Sequence, residues 1–222
     1  MNQNNSYQMK IEIWSDIMCP FCYIGKRKFE QALSQFNDKD KVEIIWKSYQ
    51  LSPNLITDTS ISINEYLARH KGISVPQAKE MNDQVTAMAK SVGLTYNLDH
   101  SVVANSFDAH RFSHFALDNN KQNEAEEKLF KAYFTDGKNM DDKNTLLEIA
   151  DEIGLDKDST EKVLNSELYR EAVISDIKEA EAIGVSGVPF FVFDRKYAVS
   201  GAQDPSVFLN TLQQAMKEWQ TA

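Results

Sequence analysis

Apolar residues alternate with polar ones along Lys10-Ile11-Glu12-Ile13-Trp14, and Val42-Glu43-Ile44-Ile45-Trp46-Lys47-Ser48-Tyr49 is similarly rich in β-branched and aromatic side chains. Both stretches predict strands. Between them Phe29, Ala32, Leu33 and Phe36 recur at helical spacing. A strand, a helix and a strand in this length predict a βαβ unit with a right-handed crossover and parallel strands. Leu51-Ser52-Pro53-Asn54 then breaks the pattern. From about residue 61 to 180 the period is helical and no strand is expected. Ser74-Val75-Pro76-Gln77 predicts a capped helix start, followed by an apolar face of Ala78, Met81, Val85, Met88, Ala89 and Val92. Further helices are predicted over 105–117, 124–134, 142–153, 159–164 and 167–183, the last closed by Gly184. The tail is mixed again. Phe190-Phe191-Val192-Phe193, a turn at Asp194-Arg195-Lys196 and Tyr197-Ala198-Val199-Ser200-Gly201 predict a hairpin. Asp204-Pro205 opens a final helix with the stripe Val207, Phe208, Leu212, Ala215, Met216 and Trp219. The order is β-α-β, a large all-helical insertion, then α-β-β-α, divided as 9–60, 61–175 and 176–222.

The chain's two cysteines, Cys19 and Cys22, lie between the first strand and its helix. A Cys-x-x-Cys there sets Cys19 where unpaired backbone N–H groups and the helix dipole meet, an environment that favours the reactive thiolate. Cys22, one turn in, is expected to be more shielded. Pro20 removes an N–H at the helix start at little cost. The two cysteines read as a catalytic dithiol. A structural zinc needs four ligands; His110 and His114, four apart on one face, are the candidates to complete one, but they read as a helix face packed toward the cleft. No metal and no organic cofactor is expected, with glutathione or another thiol as a co-substrate. His70 and His100 read as surface residues, and Lys26, Arg27 and Lys28 as a solvated helix face. Met81 and Met88 read as core filling, and Phe190, Phe191 and Phe193 as core or sheet residues. Trp14 and Trp46, on adjacent strands, are expected to pack together.

The 222 residues suffice for a sizeable core. A net charge of -9 argues against nucleic acid or an anionic membrane surface as the main partner. Met1 to Gln8 is polar and uncharged, without the basic and apolar regions of a secretory signal, and no apolar run is long enough to span a bilayer. A cytoplasmic location is therefore expected, where a lone cysteine pair is catalytic more often than structural. An exposed edge strand leaves a homodimer open.

Ser15-Asp16-Ile17-Met18-Cys19-Pro20-Phe21-Cys22-Tyr23-Ile24-Gly25-Lys26-Arg27 and Gly184-Val185-Ser186-Gly187-Val188-Pro189 together resemble the DsbA-like thioredoxin superfamily, and within it the cytosolic FrnE-like branch. Asn105-Ser106-Phe107-Asp108-Ala109-His110-Arg111 resembles a helical-domain segment that lies near that branch's cleft. The resemblance runs from Met9 to the last helix. It implies an α/β thioredoxin-like fold with a helical insertion, and thiol–disulfide oxidoreduction through Cys19 and Cys22. It also implies a cis Pro189 beside the cysteines, with Val188 as the backbone that pairs with substrate and Pro20 and Phe21 as further substrate-facing residues. Substrates would be protein or low-molecular-weight thiols and disulfides. Two positions depart from the pattern: Ile13 stands where thioredoxin and DsbA carry a buried acid, and Phe21 stands where DsbA carries a histidine. A less acidic Cys19 and a less oxidising disulfide are therefore expected. Kappa-type glutathione transferases and hydroxychromene-carboxylate isomerases share the fold but lack the cysteine pair, so that reading is second. A peptide-binding chaperone module is third.

Overall fold

The computed structural model describes residues 8–221. The polar stretch Met1 to Gln8 thus falls, but for Gln8, outside them. β1 (Met9–Ser15) leads through a tight loop into α1 (Pro20–Ser34), and β2 (Val42–Ser48) returns beside β1. The two strands are parallel, with Ile13 opposite Trp46 and Ser15 opposite Ser48. β5 (Phe190–Phe193) pairs antiparallel with β1, and β6 (Tyr197–Ser200) with β5, giving the order β2-β1-β5-β6. Asp194 and Arg195 both take positive φ (49° and 54°) in the connecting turn, the handedness a short hairpin requires. The fold is thioredoxin-like, with helices inserted between β2 and β5.

The insertion is not purely helical. β3 (Asp58–Ser62) and β4 (Val102–Val103) form a small antiparallel ladder, with a register shift between its two pairs. Neither strand alternates over enough residues to announce itself, and their pairing crosses two helices, α2 (Ile63–Lys71) and α3 (Val75–Ser91). The remaining inserted helices are α4 (Phe107–Asp118), α5 (Gln122–Phe134), α6 (Lys143–Glu152), α7 (Lys157–Leu164) and α8 (Arg170–Ala182); α9 (Pro205–Trp219) closes the chain. The caps are those the sequence offers. Ser74 and Gln77 form a capping box, Asp204 accepts from the Ser206 amide, and Gly184 takes φ 79° beyond α8. Residues 175 and 176 both lie within α8, so the insertion returns to the sheet in one continuous helix.

Two faces of the sheet are covered differently. Ile11, Ile13 and Trp46 face a core that runs through α1, the inserted helices and α9, with Phe29, Phe191 and Phe208 packed ring to ring at 4.7–5.8 Å. Trp14 faces the other side, against Ala180, Val185 and Val192. Trp14 and Trp46 therefore do not pack on each other: alternation along neighbouring strands sends them to opposite faces. Met81 and Met88 are also not core residues, each about two-fifths exposed on the outer side of α3, and Val207 is exposed to the same degree in the first turn of α9. His70 and His100 are exposed as expected, and Phe191 and Phe193 are fully buried.

The β2 edge is sealed by side chains of the insertion. Gln122 accepts from the Trp46 amide and donates to the Trp46 carbonyl, both at 2.9 Å, imitating a neighbouring strand. Asp176 accepts from the Ser48 amide at 2.9 Å, lies 3.0 Å from His114 Nε2 and pairs with Lys47, while its own carbonyl accepts from the Trp14 indole at 2.9 Å. Such sealing removes the unpaired strand edge that invites association. These partners hold the Asp176 carboxyl below its usual range against the opposing effect of burial. Asp176→Ala leaves the buried Ser48 amide unpaired and Lys47 with Glu179 alone, and is expected to cost about 2 kcal/mol, read as a lower urea midpoint at unchanged slope. Because the folded pKa is depressed, this stabilisation is present above the ordinary carboxylate pKa, about 3.9, and is lost as pH falls further.

Candidate active site

Cys19 is the N-cap of α1, with extended backbone (φ -86°, ψ 113°), and Pro20 takes the first helical position. The Cys19 amide donates to the Asp16 carbonyl at 2.9 Å, and the Cys22 amide to the Cys19 carbonyl at 3.0 Å. A cysteine at this place has its sulfur at the positive end of the helix dipole. Cys19 retains 3% exposure and Cys22 none.

The Val188–Pro189 peptide is cis, and the Cys19 thiol donates to the Val188 carbonyl at 3.5 Å. Two segments far apart in the chain thus meet at the sulfur. Gly25 permits the approach: a Cβ there would lie 2.9 Å from Pro189 Cγ. Gly201 N–H donates to the Pro189 carbonyl at 2.8 Å, anchoring the loop to the hairpin. Pro189 is buried, Val188 and Pro20 are partly exposed, and Phe21 is 41% exposed. Leu51, 49% exposed, is tied to the cysteine loop by its backbone N–H, which donates to Asp16 Oδ2 at 2.8 Å. Phe21 and Leu51 are thus exposed apolar side chains attached to the cysteine segment.

Cys22 is the protected member. Burial raises its thiol pKa well above normal, and the Cys19 thiol beside it raises it further; the Ser15 side chain and the Asp16 backbone pull weakly the other way. The expected shielding is therefore complete. The buried acid expected to be missing at Ile13 is indeed absent from β1's inner face, since Ile13 is fully buried among apolar residues.

Several site residues gave no sign of themselves in the sequence. Tyr96, in the loop after α3, donates to the Pro20 carbonyl at 2.7 Å, stacks on Phe134 at 4.6 Å and packs over Tyr23. Glu127 on α5 accepts from Tyr23 (2.7 Å), Lys26 (2.7 Å) and Arg27 (2.9 Å). Lys26, Arg27 and Lys28 are accordingly not a solvated face. Lys26 is 2% exposed and, with Arg27, also pairs with Glu30, while Lys28 donates to the Ala202 carbonyl at 2.9 Å. The reason is tertiary: α5 lies against this side of α1 and brings a carboxylate to it. The cations hold the Glu127 carboxyl down to about 2 although burial opposes them.

His110 and His114 do not join the cysteines. His114 lies 3.2 Å from Ser48 Oγ and 3.0 Å from Asp176, and His110 lies 3.7 Å from Asp16 Oδ1. Among the described residues no group of three or more His, Cys, Asp or Glu side chains is placed to hold a metal. No helix among them is long and apolar enough to cross a membrane.

The family model for the DSBA-like thioredoxin domain matches residues 10–213. The chain belongs to this family. A crystal structure of a probable DsbA oxidoreductase from Streptomyces coelicolor is similar at 37% identity and a TM-score of 0.89, over 95% of this chain and 91% of that one. Among curated proteins, the uncharacterized protein YwbO of Bacillus subtilis is 27% identical, over 94% of this chain and 98% of its own length. A cytosolic disulfide reductase from Pseudomonas aeruginosa shares the fold (TM-score 0.62, 14% identity, 96% and 97% covered). Cys19 and Cys22 are thus the CxxC pair of a DsbA-like thiol–disulfide oxidoreductase family member.

Two outcomes test this geometry. In the native reduced protein iodoacetamide should modify Cys19 at least about tenfold faster than Cys22, since the thiolate is the reacting form and burial opposes it at Cys22; peptide mapping before and after denaturation reads the ratio. Gly25→Ala forces the helix and the Pro189 loop apart and should destabilise by about 1–3 kcal/mol, with a loss of disulfide-exchange rate that exceeds the loss of folded protein.

Proposed function

We propose that this DsbA-like protein exchanges disulfides with protein or small-molecule partners, in the manner of the FrnE-like branch, through a mixed disulfide at Cys19. The observation that carries the reading is the Cys19 thiol held at the Val188 carbonyl while Cys22 lies buried behind it. Cys19 as thiolate attacks one sulfur of a substrate disulfide, the S–S bond breaks, and the departing thiolate takes a proton. Cys22 then attacks Cys19 Sγ, the second substrate thiolate leaves, and the pair has lost two electrons to the substrate. Run in reverse, the steps oxidise a dithiol; interrupted at the mixed disulfide, they allow isomerisation.

The Val188 backbone beside Cys19, with the exposed Phe21 and Leu51 on the cysteine segment, suits an extended peptide carrying its own cysteine, with main-chain pairing for affinity and side-chain contact for selectivity. Exchange of this kind would run in a reducing, cytoplasmic setting, with glutathione or another thiol closing the cycle.

Equilibration of the pair in glutathione buffers tests this reading. A potential near thioredoxin's, about -270 mV, supports a reductase, and one near about -180 mV an isomerase or oxidant. Cys22→Ser should accumulate mixed disulfides that Cys19→Ser does not form. If no intramolecular disulfide forms and glutathione turnover survives the loss of both cysteines, the transferase reading replaces this one.

A further inference from the structure

Ser15 is the last residue of β1, and the chain turns sharply after it: the Cys19 amide donates back to the Asp16 carbonyl at 2.9 Å. The turn sets the end of β1 against the first turn of α1, where Cys22 lies fully buried. The segment is held from several sides. The Ser15 carbonyl accepts from the Tyr49 amide at 3.0 Å. The Asp16 carboxylate accepts from the Met18 amide at 3.1 Å and from the Leu51 amide at 2.8 Å. The Ser15 hydroxyl is the exception: the residue is 2% exposed, and its Oγ has no hydrogen-bond partner. What lies within its reach is the Cys22 sulfur. The Ser15 side chain and the Asp16 backbone both act on that sulfur, and both favour its anion. On the backbone, the group that can do so is the N–H.

A buried hydroxyl without a partner costs free energy, and alanine in its place would not. Its hydrogen turns about the Cβ–Oγ bond, so it can stand unpaired and donate when an acceptor arises. A neutral thiol is a weak acceptor, whereas hydrogen bonds to a charged group are strong. Resolution requires Cys22 to attack as a thiolate, although burial and the Cys19 thiol both oppose that charge. We infer that Ser15 is a catalytic residue of the resolving step, its hydroxyl donating, together with the Asp16 N–H, to the Cys22 sulfur as that atom gathers negative charge. The two donors act on a buried sulfur as an oxyanion hole acts on oxygen: they are fixed beforehand and aimed where charge develops.

The inference rests on the disulfide exchange proposed above, and the step balances within it. Cys22 Sγ attacks Cys19 Sγ, and the Cys22–Cys19 bond forms as the bond from Cys19 to the substrate sulfur breaks. The proton that Cys22 gives up ends on the departing substrate thiolate, and the cysteine pair has passed two electrons to the substrate. Ser15 keeps its own proton throughout. The titratable groups that face the Cys22 sulfur are Cys19 and, from the loop after α3, Tyr96. Burial raises the Tyr96 hydroxyl well above its usual pKa, so it stays neutral around neutral pH. The Asp16 carboxylate is engaged by its two amides, with His110 Nε2 3.7 Å from Oδ1.

Single-turnover reaction of the reduced full-length protein with an aromatic disulfide that releases a coloured thiolate separates the steps. The first release reports attack by Cys19 and the second reports resolution by Cys22. For Ser15→Ala the first phase should keep its rate, while the second slows about tenfold near neutral pH, the effect of losing one hydrogen bond to a charged group. The pH profile of the second phase should move to higher pH, because the Cys22 thiolate has lost a donor. The urea midpoint should stay at or above that of wild type, because the hydroxyl removed had no partner. Second-phase rates equal to wild type at every pH would overturn the inference. So would a lower midpoint with both phases slowed alike, which is the mark of a hydroxyl that only supports the loop. If the wild-type protein itself releases no second thiolate, the disulfide-exchange reading has failed and not merely the role of Ser15.

Discussion

The Cys19 thiol and the Val188 carbonyl meet 169 positions apart in the chain, and the rest of the structure serves that meeting. A thiol at a helix N-terminus is placed by local sequence alone, but its backbone companion arrives from the far end of the chain. The antiparallel pairing of β5 with β1, Trp14 opposite Phe190, fixes the height at which the Val188–Pro189 loop enters. Gly25 then sets how near it comes, because a side chain on that face of α1 would strike Pro189. Packing of this density leaves little room for compromise.

The inserted block is part of this arrangement and not a lid resting on it. Glu127 ties α5 to three side chains of α1, Gln122 and Asp176 complete the open edge of β2, and Tyr96 holds the first carbonyl of α1. The core around Cys22 runs without a break from the sheet through α4, α5 and α6. Here the walls around the buried thiol come from the sheet, α1 and the insertion together. The same enclosure that shields Cys22 also brings polar groups of the insertion into the dry space behind the loop. There, unpaired atoms are costly, and a proton has few places to go.

Much of this was legible in advance. Alternation and helical period marked β1, α1, β2, the final hairpin and α9, and the cap residues Ser74, Gln77, Asp204 and Gly184 marked helix ends, because these are near-neighbour effects written into adjacent residues. The spacing of Cys19 and Cys22 at a strand-to-helix junction named the chemistry. The two-stranded ladder of β3 and β4 escaped notice because two paired residues carry no period. Met81 and Met88 looked like core because a helical stripe says that a face is apolar, not that another element covers it. Trp14 and Trp46 looked like partners because adjacency of strands is visible in sequence, whereas the face each residue takes depends on register.

The sequence by itself determined the order of strands and helices and the reactive pair, since each rests on local pattern or short spacing, while the proline beside the pair was expected only through the family resemblance of Gly184 to Pro189. Tertiary structure alone decided which charges are solvated and which are clamped. Lys26 and Arg27 read as a solvated helix face along the chain, yet both pair with Glu127 of the insertion, and Asp176 of α8 pairs with Lys47 of β2. The physical reason is that the energy of a charge depends on the medium and the partners around it, and both are supplied by residues tens of positions away.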